Sequence, residues 1–241
     1  MKGKRLLVVS AHAADYVWRA GGTMAKYIKG GAEVSLVILS FGVRGESNDL
    51  WKQEGQTEEN VKKIRRAESS AAAEILGIKD IEFWDFEDYP MDLGRERLDR
   101  MALKIRQFRP DTVLTHGWTD AFNPDHEKVA EFMFQACVVS TSFGAQLGGL
   151  KAVKQMSIFG FEPHQPEISD FKPGTIIDIT DTFEQKKQAM ACFKAQKHLI
   201  EYYTMRAEMR GNHARRISGN QSYMTAECFS NFFPTVAGEF V

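Results

Sequence analysis

Short apolar runs alternate along this chain with longer stretches in which apolar residues recur at helical spacing. The apolar runs show little alternation with polar residues, which is typical of strands that are covered on both faces. Strands are therefore expected at residues 6–9, 34–39, 81–84, 112–116 and 157–161. Strands that alternate with helices predict an α/β fold, a Rossmann-like and mostly parallel sheet with helices on both faces.

The helical stretches are bounded by glycine or proline, which favour helix ends. Helices are expected at about residues 22–30, 57–76, 93–108 and 127–141. An edge strand is expected at 176–179, followed by one long helix to about Arg210. Asp181 with Glu184, or Thr182 with Gln185, offers that helix a capping box.

The residues after 210 form a less regular tail in this interpretation. We expect one α/β domain over residues 1–241. Its C-terminal part, residues 176–241, adds the edge strand, the long helix and the tail. That part is expected to complete the functional site or an oligomer interface.

Composition narrows the class of protein. The 241 residues are 43% hydrophobic and 26% charged, with a formal net charge of −1, which argues against a general nucleic-acid binder. A membrane span, which needs about 18 or more consecutive apolar residues, is not expected. The three cysteines are scattered, and the N-terminus has no cleavage pattern. A cytoplasmic protein with reduced thiols is therefore expected.

Polar residues follow the ends of the expected strands, where α/β sheets bind their ligands. These are His12 and Asp15, Arg44 and Glu46, Asp88, the group His116, Asn123, Asp125 and His126, and finally His164. Packing of the core does not require polar residues to follow so many of the strands. The strand ends therefore predict a site that binds a small molecule.

Three of these residues form a candidate metal site. His12, Asp15 and His126 are two imidazoles and one carboxylate, a set that suits catalytic Zn²⁺ and does not exclude Fe²⁺ or Mn²⁺. The alternative is structural: His12 and Asp15 cap the first helix, and His126 begins a later one. The three residues together favour metal binding.

Several motifs together resemble the zinc-dependent PIG-L/LmbE family of N-deacetylases over about residues 4–135. They are the opening stretch with His12 and Asp15, the Ser-Phe-Gly-Val-Arg-Gly-Glu loop at 40–46, Arg66-Ala67-Glu68 with Leu76-Gly77, and Pro124-Asp125-His126. The resemblance implies a Rossmann-like fold and zinc bound by His12, Asp15 and His126.

The chain departs from the family at the positions that perform deacetylation. Ala14 stands where the family has its catalytic Asp, and Asn123 stands where it has a His that assists the reaction. Ala13 and Tyr16 also replace family residues. Alanine cannot activate water as a base. The metal site is thus expected to be kept while the hydrolytic machinery is lost.

Other segments resemble a hydratase branch of this fold from the bacterial breakdown of gallate and protocatechuate. They include Phe161 to Glu167, Ala195 to Leu199 and Ala214 to Asn220. This resemblance implies a hydro-lyase that adds water to 4-oxalomesaconate, a tricarboxylic oxo-acid, to give 4-carboxy-4-hydroxy-2-oxoadipate. It also points to Glu46 and His164 as the two residues that move protons. Which of them is the base and which is the proton carrier stays open.

The two proposed catalytic residues have structural alternatives, and the substrate needs further partners. Glu46 can instead pair with Arg44 at the surface, and His164 can be a turn residue between two prolines. Arginine suits bidentate binding of carboxylates. Substrate contacts are expected from Arg215, Arg216, Ser218 and Asn220, with Arg44, Tyr202, Tyr203 and Arg206 as further donors.

The patch at residues 215–220 lies far along the chain from the other site residues. It can serve the site of a neighbouring subunit, so we expect a homo-oligomer. The structural alternative is a solvated helix end, where the helix dipole favours arginine. His116 is a candidate for a residue that supports the metal ligands without binding the metal itself.

Three other functions compete with hydration. The first is an N-acetyl sugar deacetylase in which Glu46 is a substitute base. The second is a non-catalytic module for a metal or carboxylate, motivated by Ala14 and Asn123. The third is a nucleotide-binding domain, which is disfavoured because Ala20-Gly21-Gly22 does not match the G-x-G-x-x-G pattern.

Overall fold

The computed structural model describes residues 1–236, and within them one mixed sheet carries seven strands in the order β3-β2-β1-β4-β5-β7-β6. Strands β1 to β5 pair in parallel, and β7 is antiparallel to both of its neighbours. The mostly parallel α/β fold is thereby confirmed. The strands are β1 Arg5–Ser10, β2 Glu33–Ile38, β3 Asp80–Phe83, β4 Thr112–His116, β5 Ser157–Phe161, β6 Thr175–Asp178 and β7 Ala226–Asn231.

Helices cover both faces of the sheet. The α-helices are α1 Asp15–Lys29, α2 Asn48–Trp51, α3 Glu58–Leu76, α4 Arg95–Phe108, α5 Pro124–Thr141, α6 Phe183–Met190 and α7 Leu199–Ser218. Short 3-10 helices lie at Thr180–Thr182 and Lys194–Gln196. Among the helices of residues 1–236, none is long and apolar enough to cross a membrane.

Successive residues of the central strands enter two different cores. Leu6 and Val8 of β1 pack in the core that includes α1 and α3, whereas Leu7 and Val9 pack with residues of α4 and α5. All four side chains are fully buried. This explains why the strand is apolar at all four positions from Leu6 to Val9.

Helix α1 begins at Asp15, so the expected start near Gly22 is wrong. Glycine has low intrinsic helix propensity, but here the packing of the helix requires it. A Cβ atom on Gly22 would lie 2.6 Å from Cδ1 of Ile179. The glycine therefore lets α1 approach the chain beyond β6 closely.

The C-terminal part also differs from expectation. The long helix to about Arg210 is in fact α6 and α7, separated between Met190 and Leu199. The capping box is not formed, since no side chain accepts a cap hydrogen bond at the start of α6 or of the 3-10 helix before it, and the Thr182 hydroxyl instead donates to the carbonyl of Gly22. Strand β6 lies at the sheet edge as expected, but the tail contains β7, which pairs between β5 and β6.

Candidate active site

The loop after β1 is folded so that Asp15 turns back toward His12. The Ser10 hydroxyl donates to the His12 carbonyl at 2.6 Å, and the His12 backbone N–H donates to Asp15 Oδ2 at 2.8 Å. Asp15 is the first residue of α1, where the helix dipole favours a carboxylate. This turn places both side chains at the carboxyl edge of the sheet.

His126, in the first turn of α5, completes a nearly equilateral triangle with this pair. His12 Nδ1 lies 3.2 Å from His126 Nε2, and Asp15 Oδ2 lies 3.3 Å from each of these nitrogens. Tetrahedral zinc with bonds of 2.0–2.1 Å has ligand separations of about 3.3 Å. The three buried donor atoms therefore have the spacing that such a metal requires.

Carboxylates face the remaining ring nitrogens of both histidines. Asp120 Oδ2 lies 2.8 Å from His126 Nδ1, and Asp125 Oδ2 lies 3.5 Å from His12 Nε2. Burial opposes ionisation of Asp125, but the neighbouring His12 and hydrogen bonds from the backbone N–H groups of Tyr89 and Met91 lower its pKa to about 2. Such carboxylate–histidine pairs orient the ligands of catalytic zinc sites. The donor set thus fits a divalent metal.

His116 lies behind the triangle and packs against His126, with ring centroids 3.9 Å apart. Its Nε2 accepts the backbone N–H of Ala11 at 3.0 Å. Burial and the neighbouring His126 hold the pKa of His116 well below its usual value. His116 is therefore a neutral packing partner of the candidate ligand His126.

Glu46 reaches the triangle from the loop after β2. Its Oε1 lies 3.8 Å from His12 Nδ1 and accepts hydrogen bonds from Asn123 Nδ2 at 2.9 Å and the Tyr89 hydroxyl at 3.1 Å. Its Oε2 accepts from Gln196 Nε2 at 3.0 Å. Three neutral donors thus hold one carboxylate beside the candidate metal ligands.

His164, beyond the end of β5, lines the same cavity as Glu46. Its backbone carbonyl accepts from the Arg206 guanidinium and from the Tyr202 hydroxyl. Burial, reinforced by Arg19 and Arg206, lowers the pKa of His164 to about 4. The imidazole is therefore neutral at neutral pH.

The cavity at this edge of the sheet has a volume of about 230 Å³. This is smaller than sites for drug-sized ligands, so it suits a small metabolite. Among its described lining residues Arg19 is the one arginine, and it already donates to Asp120. Further polar lining residues are Asp15, Glu46, Asn48, Asp49, Tyr89, Asn123, His126, His164, Gln196, His198 and Tyr203.

Of the eight residues expected to contact the substrate, Tyr203 lines the cavity of this chain, whereas Arg206 and six others do not. The Arg44 side chain is exposed, and Tyr202 lies behind His164. The other four lie at the far end of α7, where Arg215 donates to the Tyr223 carbonyl. The six are Arg44, Tyr202, Arg215, Arg216, Ser218 and Asn220.

Three residues at the site had no role assigned from the sequence. Tyr89 follows β3, Asp120 lies in the loop after β4, and Gln196 lies in the break between α6 and α7. The first two follow strand ends, a signal that was available in the sequence. Nothing in the local pattern around Gln196 indicates a turn rather than a helix.

The chain resembles known proteins over its whole length. A family model described as PIG-L, GlcNAc-PI de-N-acetylase, matches residues 7–137. A 4-oxalmesaconate hydratase of Pseudomonas putida is 42% identical over 236 residues, which is 97% of this chain and 91% of the relative. The chain belongs to the PIG-L family.

Solved PIG-L structures share its fold. The crystal structure of GalB, the 4-carboxy-2-hydroxymuconate hydratase of Pseudomonas putida, is similar with a TM-score of 0.95 and 41% identity, covering 99% of this chain and 100% of that one. An N,N'-diacetylchitobiose deacetylase from Pyrococcus horikoshii has a TM-score of 0.80 at 23% identity, covering 95% of this chain and 84% of that one. The latter similarity shows the fold alone.

Proposed function

We propose that this PIG-L protein is a hydratase that adds water across the C=C bond of 4-oxalomesaconate to give 4-carboxy-4-hydroxy-2-oxoadipate. The similarity to a 4-oxalmesaconate hydratase along 97% of the chain supports this substrate. The deacetylases among its relatives are more distant, such as the diacetylchitobiose deacetylase of Thermococcus kodakarensis at 27% identity over 80% of this chain and 70% of its own.

The observation that carries the proposal is the position of Glu46. Ala14 occupies the place of the deacetylase base and has no group that can accept a proton. Glu46 comes from the loop after β2, and its Oε1 atom lies 3.8 Å from His12 Nδ1 at the lining of the cavity. The base is thus supplied by a different loop.

His12, Asp15 and His126 would hold zinc or another divalent metal. Bound there, the metal supplies a Lewis acid that polarises an oxygen atom. The remaining chemistry belongs to the side chains of the chain. Asp120 and Asp125 orient the two imidazoles, and burial of all three donors excludes bulk water from around them.

Hydration needs one proton removed from water and one delivered to carbon. Glu46 accepts the proton as the water oxygen bonds to one alkene carbon. His164 delivers a proton to the neighbouring carbon, and the two transfers together add one water molecule. Anionic substrate beside His164 raises its pKa, because nearby negative charge favours the imidazolium. Binding therefore prepares His164 as an acid.

The substrate's carboxylates need cations that the cavity of one chain supplies poorly. Arg19 is engaged by Asp120, and Arg44 lies outside the cavity. Arg215 and Arg216, with Ser218 and Asn220, lie on the exposed end of α7. In a homo-oligomer, this patch from one subunit would complete the site of another. Tyr202, which does not line the cavity, would act within its own chain through its hydrogen bond to the backbone carbonyl of His164.

A spectrophotometric assay of 4-oxalomesaconate loss tests the proposal. Wild type is compared with Glu46→Ala and with Glu54→Gln, which changes an exposed carboxylate away from the site. We expect a chelator or Glu46→Ala to abolish turnover and Glu54→Gln to leave it unchanged. Activity that survives chelation and loss of Glu46 would refute this mechanism, and acetate release from an N-acetyl sugar would favour deacetylation.

A further inference from the structure

A buried ion pair on α3 anchors the segment between α6 and α7. Arg65 Nη1 lies 2.9 Å from Glu68 Oε2, and the Arg65 side chain has no exposed surface. The other carboxylate oxygen of Glu68 accepts the backbone N–H of Ala195 at 3.2 Å. The short 3-10 helix at Lys194–Gln196 is therefore tied to α3, next to the cavity.

The same ion pair fixes the orientation of the Gln196 amide. Arg65 Nη2 donates to Gln196 Oε1 at 3.0 Å. A guanidinium only donates, so the oxygen of the amide must face it. The NH₂ group then points the other way and donates to Glu46 Oε2 at 3.0 Å. A flipped amide would place an NH₂ group against Arg65 and an oxygen against Glu46.

We propose that Gln196, oriented by Arg65, is a positioning residue for the catalytic carboxylate of Glu46. This inference rests on the proposed role of Glu46 as the base. An ionised carboxylate has about four acceptor positions. Tyr89 and Asn123 occupy two on Oε1 and Gln196 occupies one on Oε2, which leaves one position on Oε2 to receive a proton.

The substitution Gln196→Glu separates positioning from packing. A glutamate keeps the size of the side chain and an acceptor for Arg65, so the fold and the anchor on α3 are retained. It removes the donor to Glu46 and places a second carboxylate against it. Because small misplacement of a catalytic group is costly, we expect kcat to fall by about 10- to 100-fold with KM and metal content nearly unchanged.

Gln185→Glu is the matched control. Gln185 Nε2 donates to the Ile75 carbonyl at 2.7 Å and links α6 to α3 outside the cavity. The same change from donor to acceptor there should leave kcat at the wild-type value. Thermal unfolding of both variants verifies that the fold is intact. A loss of kcat equal in the two variants would overturn the positioning role.

Combining Gln196→Glu with Glu46→Gln tests whether the two residues act as a unit. If Gln196 works through Glu46, its substitution adds little to the loss caused by Glu46→Gln, since residues that act together are non-additive. Equal fold losses in both backgrounds, or wild-type kcat in Gln196→Glu alone, would overturn the inference. Wild-type kcat in Glu46→Gln would refute the base assignment, and this inference with it.

Discussion

Asp120 Oδ2 lies 2.8 Å from Nδ1 of His126, on the opposite side of the ring from the Nε2 atom that approaches His12. A carboxylate accepts hydrogen bonds, so this contact, which is shorter than the 3.3 Å from Arg19 Nη2 to the same nitrogen, favours a proton on Nδ1. The lone pair of Nε2 is then directed at His12 and Asp15. Asp120 thus selects the tautomer that can bind a metal.

Asp120→Asn should weaken metal binding by about 10- to 100-fold, the usual effect of removing a partner behind a metal ligand. The neutral amide accepts a weaker hydrogen bond and no longer pairs with Arg19. Asp111→Asn is the control, because Asp111 accepts the Arg5 backbone N–H far from the cavity. Competition with a chelating dye measures the affinity, and equal affinities in the two variants would contradict the prediction.

His164 should make the protein less stable in acid. Its pKa is lowered from 6.5 to about 4 by burial and by two arginines. The unfolded chain therefore binds a proton that the folded chain does not between pH 6.5 and 4, so stability rises with pH across that window and falls as pH drops through it. In His164→Gln the melting temperature should decline less from pH 6.5 to 4. Parallel decline in both proteins would refute this.

The sequence was sufficient to predict the parallel strands of the sheet, β1 to β5. Residues of β1 are apolar on both faces because helices cover both, and such runs are recognisable without tertiary information. Strand β7 is different, since Ala226–Asn231 includes Glu227, which enters the interior. Its burial depends on Lys186, 41 residues away, and no local pattern records that pairing.

The site also contains residues that the local pattern places and residues that only contacts between distant segments place. His12, Asp15, Glu46 and His164 follow strand ends, so topology alone brings them to one edge. Gln196 reaches Glu46 only because α6 and α7 are separated there, and this separation is stabilised by Glu68 on another helix. Contacts between distant segments decide such a position, and helix propensity does not reveal them.

Gly45→Ala should disturb the site through Tyr89. A Cβ atom at this position would lie 2.1 Å from Cε2 of the Tyr89 ring, which stacks on His12 with centroids 5.6 Å apart. The ring must move, and its hydroxyl then leaves Glu46. We expect a loss in kcat of about 10- to 100-fold, measured by steady-state kinetics. Gly144→Ala, which meets no atom within 4 Å, should behave as wild type.

The buried pair of Lys186 and Glu227 should be important for stability. Lys186 Nζ lies 2.6 Å from Glu227 Oε1, and both side chains are almost fully buried. Lys186→Met would leave an uncompensated buried carboxylate, at a cost of about 3–5 kcal/mol in the free energy of unfolding. Lys187→Met removes the exposed partner of Glu184 and should cost about 0–1 kcal/mol. Urea unfolding of both variants measures the difference.

A second substitution distinguishes charge from hydrogen bonding at this pair. Glu227 also accepts the backbone N–H groups of Gly22 and Thr23 inside α1. Glu227→Gln removes the buried charge, and its amide oxygen still accepts from one of the two backbone N–H groups, although its NH₂ group then faces the other. The double variant Lys186→Met/Glu227→Gln should therefore be more stable than Lys186→Met alone. If the double variant is less stable, the hydrogen bonds that the charged carboxylate accepts from Gly22 and Thr23 outweigh the cost of the unpaired charge, because the lysine is absent from both variants.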